Sequence, residues 1–374
     1  MQVDLLPLRH TASGTTRTLR VLRFGRVGSR PKAYIQAALH ADELPGVLVA
    51  HELAAMLSTA EATGELLGEV VLVPAANPIG LSQEFLGVHH GRFAHADGQN
   101  FNRGFADLSA GLESAFVQRS SQHVEPADDL SEALRHFLRD AAGQHTGATE
   151  SSALKAQLLA LAVDANVVLD LHCDGEAVMH LYTLPSLVDR VAPLARLLGA
   201  HLCLTASESG ENPFDEACSR PWQVAQATFP ASTLATPCLA ATVELRGELD
   251  VSASLARRDA SAIFEFLRIE GLLAGVSAAL PDHPCQVLPL AGTEPLVAPA
   301  PGVLLFTHAL GAAVAAGDEI AILLDPVTGQ KTSVTATTTG LLFARSAARW
   351  ASAGKRIGKI AGHQVIRSGK LLSP

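Results

Sequence analysis

No run among the 374 residues reaches the roughly 18 to 20 apolar positions that a membrane-spanning helix needs, which argues against a membrane-embedded protein. A basic excess is also missing. With 28 Lys and Arg against 37 Asp and Glu, the net charge is −9, so neither nucleic acid nor an anionic membrane is expected as the main partner. The opening M-Q-V-D-L-L-P-L-R-H lacks the basic region, apolar core and small-residue cleavage site of a signal peptide, and a cytoplasmic location is expected. Cysteine spacing carries no C-x-x-C pair. Cys173, Cys203, Cys218, Cys238 and Cys285 are scattered and odd in number, which fits reduced thiols in a cytosolic protein rather than a disulfide framework.

What is present is ordinary globular chemistry, 48% hydrophobic and 17% charged, in a chain too long for one comfortable core. The expected class is α/β: a mixed, mainly parallel sheet flanked by helices over residues 1–280, then a small all-β barrel or sandwich over 281–374. Lys32–Leu39, Glu69–Pro74, Asn166–His172 and Ala240–Leu245 are short, largely apolar runs of the kind found inside parallel sheets. Helical spacing runs from Pro45 to about Glu61, with Val47, Val49, Leu53 and Leu57 recurring every three to four positions, and further helices are expected near Leu130–Ala142, Ala153–Ala162, Leu184–Leu198 and Val251–Leu273. Gly80–Leu108 and Ser207–Gln223 show no period and read as irregular surface loops. From Pro284 onward short apolar runs alternate with Gly, Asp-Pro and Thr-Gly, which indicates many short strands.

The chain is organised around Ala33–Gly46, A-Y-I-Q-A-A-L-H-A-D-E-L-P-G, where an apolar run ends abruptly in His40 and Glu43. A second apolar run, N-V-V-L-D-L-H, ends in His172. Strands that end in such residues point them at the same carboxyl edge of a parallel sheet, where open α/β folds keep their active sites. Two imidazoles and one carboxylate, with a coordination position left for water, are the protein ligands of a catalytic zinc. His-x-x-Glu also occurs by chance; its position at a buried strand end is what raises the metal reading. Asp170 shares a strand face with His172, and can either orient that imidazole or simply bond backbone.

Asn102-Arg103 offers an amide beside a guanidinium fork suited to a substrate carboxylate. Arg92, in the same loop, can polarise a carbonyl oxygen; for both the plain alternative is a solvated loop charge. Glu244 lies in the otherwise apolar A-A-T-V-E-L, where an unpaired carboxylate is costly to bury. It can serve as general base and acid, or pair with Arg246. Asp215, Glu216, His180 and Arg220 can each contact substrate or simply face water, and water is the expectation for each.

H-A-D-E-L-P-G, N-P-I-G, F-N-R-G-F, D-L-H-C-D and T-V-E-L-R-G, in this order, resemble the succinylglutamate desuccinylase/aspartoacylase family, within the zinc carboxypeptidase-like superfamily. The resemblance covers roughly residues 30 to 250 and also implies a small β-domain after it. It implies one zinc ion per chain on His40, Glu43 and His172, substrate carboxylate binding by Asn102 and Arg103, and a general base and acid at Glu244. An oxyanion arginine precedes the Asn-Arg pair in the family; Arg92 is the candidate, at a longer separation than the family pattern. The family's Asp two places before that Asn is Asn100 here, and the residues after His172 are Cys173 and Asp174 rather than small polar ones.

The expected activity is zinc-dependent hydrolysis of an amide, a deacylase reaction that removes the acyl group from an N-acyl amino acid or a related small carboxylate-bearing amide. A carboxypeptidase acting on short peptides would use the same groups, and a metal-containing binding protein without turnover is the alternative from another class. The C-terminal runs P-L-V-A-P-A-P-G-V-L and G-D-E-I-A-I-L-L-D resemble a biotinyl/lipoyl-type sandwich, but the Met-Lys-Met hairpin of carrier domains is missing and Lys331 stands in G-Q-K-T. That domain is expected either to narrow the active-site mouth or to make a homo-oligomer contact.

Overall fold

Lys32–Ala37 and Val167–Asp174 run parallel at the centre of a nine-stranded sheet, in register from Ala33 opposite Val167 to Ala37 opposite Leu171. The structure, a computed structural model, describes residues 1–374 except 11, 113–126, 229–233, 235–236 and 373–374, and only the backbone of 127–129. Residues 113–126 of the polar stretch after Ser109 therefore lie outside the described residues. The sheet order is Gln2–Pro7, Thr18–Phe24, Glu69–Val73, Lys32–Ala37, Val167–Asp174, Leu239–Gly247, His180–Thr183, Leu202–Thr205, Gln286–Pro289. Thr18–Phe24 is antiparallel to both its neighbours, Leu239–Gly247 is antiparallel to His180–Thr183, and the other pairings are parallel. The sheet is mixed and mainly parallel.

Its central strands are buried along nearly their whole length, which is why they read as continuous apolar runs instead of alternating ones. Pro45–Thr63, Val188–Leu198 and Ala253–Ile269 pack one face through Leu53, Leu57, Leu194, Ile263 and Phe266. Ala127–Gln144, Glu150–Ala162 and Phe214–Thr228 cover the other through Leu134, Leu138, Leu158, Phe214 and Trp222. With both faces covered, the carboxyl edge of the parallel strands is left to face a cleft. No helix among the described residues is long and apolar enough to cross a membrane.

Ser207–Gln223, expected as a surface loop, is corrected by the helix Phe214–Thr228, which runs through most of it. Phe214, Ala217, Cys218, Pro221, Trp222 and Ala225 form its buried stripe, a helical period hidden by Pro213, Pro221 and the acidic residues between. Asp215 and Glu216, expected in water, are each 7% exposed, and His180 is fully buried with Nδ1 2.8 Å from the Val178 carbonyl. Arg220 does reach the surface, 3.7 Å from both Asp107 and Glu208.

The C-terminal strands form two antiparallel sheets facing each other across Leu296, Leu304, Ile320, Leu323, Leu342 and Ile360. Gln286–Pro289 still belongs to the large sheet, pairing in parallel with Leu202–Thr205, so that sheet extends beyond residue 280. Glu176–Ala177 joins the C-terminal strand Gly340–Arg345, and Glu176 pairs with Arg345 and Arg349. These links fasten the β-layers beside the carboxyl edge of the large sheet.

Candidate active site

The strand Lys32–Ala37 ends at Ala38, whose φ of 55° is left-handed, and the chain turns there to present His40 and Glu43. The turn closes through Glu43 N donating to the His40 carbonyl at 3.1 Å. The N-P-I-G motif supports it from outside: Asn77 Nδ2 donates to the Leu39 carbonyl at 2.9 Å, and Gly80 N donates to Asn77 Oδ1 at 2.8 Å. Gly91 lets the next loop lie directly on the turn. A Cβ there would fall 2.0 Å from Asp42 N, whereas the bare backbone allows Ala41 N to donate to the Gly91 carbonyl at 3.0 Å.

His172, from the neighbouring parallel strand, meets this turn. Glu43 Oε1 lies 2.9 Å from His40 Nδ1, and Glu43 Oε2 lies 2.7 Å from His172 Nδ1 and 3.1 Å from the donating Cys173 N. Both imidazoles therefore aim Nδ1 at one carboxylate, their ring centroids 4.9 Å apart. Behind the rings, His40 Nε2 is 2.8 Å from Asn100 Oδ1, and His172 Nε2 is 2.9 Å from Asp170 Oδ2, an ion-pair approach without a well-aligned hydrogen bond. Asp170 is held in turn by Gln36 Nε2 at 2.9 Å, and Gln36 Oε1 accepts from the Tyr34 hydroxyl at 2.7 Å. A ring nitrogen tethered to an acceptor leaves the other free to ligate in a fixed orientation.

One donor atom from each of His40, Glu43 and His172 lies within 4.8 Å of the others, and all three residues are buried. Two imidazoles plus one carboxylate, each oriented from behind, fit a divalent metal that keeps an open position. Within the cluster the charges stabilise one another. Burial alone would raise the Glu43 carboxyl, but the two imidazoles overcome it and hold it well below the usual range. Burial works against a charged His172, yet Asp170 and Glu43 raise it well above an ordinary histidine.

All seven candidate residues read from the sequence line one cavity of about 220 Å³. Arg92 Nη1 is 3.3 Å from Glu43 Oε1 and 3.2 Å from His40 Nδ1, so it reaches the His-Glu-His cluster despite its longer spacing. Asn102 Nδ2 is 3.4 Å from His172 Nε2, while its Oδ1 accepts from Phe214 N at 2.9 Å. Arg103 Nη1 donates to the Asn102 carbonyl at 2.6 Å. Glu244 lies opposite His172 in the parallel register, and its buried Oε2 has no hydrogen-bond partner. Burial first, then the nearby Glu43, pushes its carboxyl up to about 8. A register shift after Glu244 and a left-handed Arg246, φ 68°, turn that arginine to Asp259, so Glu244 and Arg246 are not an ion pair.

Cys173 lines the same cavity, and burial, followed by Glu43 and Glu244, raises its thiol far above the usual range, which removes it as a nucleophile. Several contributors carry no local signal in the chain. Lys155 Nζ donates to the Asn100 carbonyl at 3.0 Å and to the Arg103 carbonyl at 2.7 Å, bracing the loop from a helix 52 residues beyond Arg103. Lys359 of the β-layers pairs with Asp174 and lines the cavity beside Arg356. Asn100, where the family pattern has Asp, accepts from Asn102 N at 2.8 Å as well as meeting His40, so a neutral amide does the local bracing.

Fold and donor set together describe an α/β protein with a buried His-Glu-His cluster, able to hold a metal ion, at the carboxyl edge of its sheet. The succinylglutamate desuccinylase/aspartoacylase catalytic domain matches residues 29–270, and the chain belongs to that family, named for two deacylases. A succinylglutamate desuccinylase/aspartoacylase family protein from Shewanella amazonensis is similar along nearly its whole length: 25% identity over 96% of this chain and 98% of that one, TM-score 0.84. One from Shewanella frigidimarina superposes with TM-score 0.86 at 24% identity, over 96% and 97% of the two chains. Another from Rhodobacter sphaeroides has TM-score 0.69 at 16% identity, over 97% and 94%. A comparison with curated proteins finds no match.

Proposed function

We propose that this chain is a zinc-dependent amidohydrolase that removes the acyl group from an N-acyl amino acid or a related small amide bearing a carboxylate. The observation that carries this reading is the register pair Glu244 and His172: a half-buried carboxylate with one buried, partnerless oxygen beside a set of three possible metal donors, in a cavity that also holds a guanidinium fork. His40, Glu43 and His172 would hold one zinc ion, whose chemistry is to polarise the acyl carbonyl and make water more acidic.

The remaining work falls to the chain's own side chains. Arg103, with the Asn102 amide beside it, grips the substrate carboxylate and fixes the amide at the site. Glu244 takes a proton from the attacking water, whose oxygen bonds to the acyl carbon. Negative charge then builds on the carbonyl oxygen, where Arg92 donates a charge-assisted hydrogen bond. As the C–N bond breaks, Glu244 returns the proton to the departing nitrogen, leaving a free acid and an amine. A raised carboxyl is suited to both transfers, because it gives up and regains a proton near neutral pH.

The test is a panel of N-acyl amino acids and dipeptides offered to the zinc-loaded and the chelator-treated protein. Chelator-sensitive release of the acyl group from N-acyl amino acids, faster than dipeptide cleavage, supports the reading. Faster dipeptide cleavage makes the protein a carboxypeptidase, and metal uptake with no turnover makes it a binding protein.

A further inference from the structure

The catalytic cavity contains an acidic pair that the hydrolytic steps above do not use. Asp215 and Glu216 open the helix Phe214–Thr228, line the cavity and are each 7% exposed. Carboxylates at that depth are costly unless a cation meets them. Among the described residues none forms an ion pair with either: Arg92 is at Glu43, Arg220 at Asp107 and Glu208, and Lys370 at Glu211. Beside them Ser209, only 2% exposed, also lines the cavity and its hydroxyl has no well-formed hydrogen bond, although its backbone N donates to Glu216 Oε1 at 2.8 Å. The donors that do meet the pair, the Thr242 side chain and Glu216 backbone at Asp215 and Ser209 at Glu216, are all neutral, so the pair keeps acceptor capacity suited to a cation.

The opposite charge stands close by. The loop that carries Arg103 is tied to the segment leading into the helix by Asn102 Oδ1 accepting from Phe214 N at 2.9 Å, and by Gly104 N donating to the Glu211 carbonyl at 2.7 Å. Burial and then Arg92 lower the Arg103 guanidinium from its usual range, and Asp215, Glu211 and Glu216 are near enough to offset part of that through space. A guanidinium fork and an acidic pair on adjoining segments of one cavity complement a zwitterion.

Resting on the deacylase reading, we propose that Asp215 and Glu216 receive a primary ammonium group of the substrate while Arg103 holds its carboxylate, so that the substrate is the acyl derivative of a diamino acid. Without that ammonium both carboxyls stay reluctant to ionise. Burial, reinforced by Asp170, carries Asp215 up to about 6, and burial, reinforced by Asp215, carries Glu216 up to about 7.

The experiment compares acetyl-ornithine with acetyl-norvaline, which has the same carbon skeleton and no side-chain ammonium, on the zinc-loaded full chain. In parallel, calorimetry measures binding of free ornithine and norvaline, a readout that does not require turnover. The wild-type protein should favour the diamino member of each pair by about tenfold or more, and Asp215→Asn and Glu216→Gln, checked for folding by thermal melts, should bring the ratio within about threefold. Equal treatment of both members by the wild-type protein overturns the proposal. So does a preference that survives both substitutions, or an equal loss on both members, which would mean that the pair only balances Arg103. Hydrolysis without preference sinks this inference and leaves the deacylase reading standing; a binding preference with no hydrolysis of any acyl amino acid does the reverse.

Discussion

Glu244 and His172 face each other across two parallel strands, one a carboxylate with a buried, partnerless oxygen and the other an imidazole fixed between Asp170 and Glu43. In the proposed reaction this pairing keeps proton transfer apart from metal binding, because Glu244 contributes no atom to the donor cluster. Glu244→Gln should keep its zinc, read by elemental analysis, while turnover falls about 10²- to 10⁴-fold. Unchanged turnover would remove Glu244 from the chemistry.

Arg103→Lys tests the clamp. A lysine keeps the charge and loses the two-pronged geometry, so KM for carboxylate substrates should rise about tenfold or more with a smaller change in kcat. A fall in kcat at constant KM would place Arg103 in the transition state instead.

Asn100 supports His40 with a neutral oxygen at 2.8 Å, and its Nδ2 is buried without a partner. Asn100→Asp puts a carboxylate behind the imidazole, which strengthens it as a ligand; zinc should bind about tenfold more tightly, measured by competition with a chelator. Equal or weaker binding would mean that the amide is not acting through His40.

The pH dependence of the metal-free protein follows from three carboxyls, Glu244, Glu216 and Asp215, pushed up to about 8, 7 and 6, mainly by removal from water. Each keeps its proton in the folded state at pH values where the unfolded chain has lost it. Their contribution to stability is therefore complete below about pH 4 and declines as pH rises toward about 8. Melting temperature of the metal-free protein should fall between about pH 5 and 8, and Glu216→Gln should flatten part of that slope. Zinc should flatten it further, since a dication favours the ionised Glu244. A melting temperature that climbs steadily over this range would contradict these carboxyl assignments.

The donor set was legible because His40 and His172 each end an apolar run, and in a parallel sheet neighbouring runs end at one edge. Glu244 was legible for a related reason: a charge inside A-A-T-V-E-L has no cheap structural explanation. The helix Phe214–Thr228 was missed although Phe214, Ala217, Cys218 and Trp222 carry its period, because Pro213, Pro221 and the acidic pair broke the pattern locally. Lys155 and Lys359 were out of reach altogether. Their partners lie 55 and 185 residues away, and only the packing of the Glu150–Ala162 helix and of the C-terminal strands brings them to the site.

Zinc titration of the chelator-stripped protein, followed by release of the acyl group, addresses the metal assignment most directly. Activity should start near zero, rise linearly and saturate at one equivalent per chain, and His172→Ala should abolish the rise. Full activity without added metal, or a rise that survives loss of His172, would contradict it.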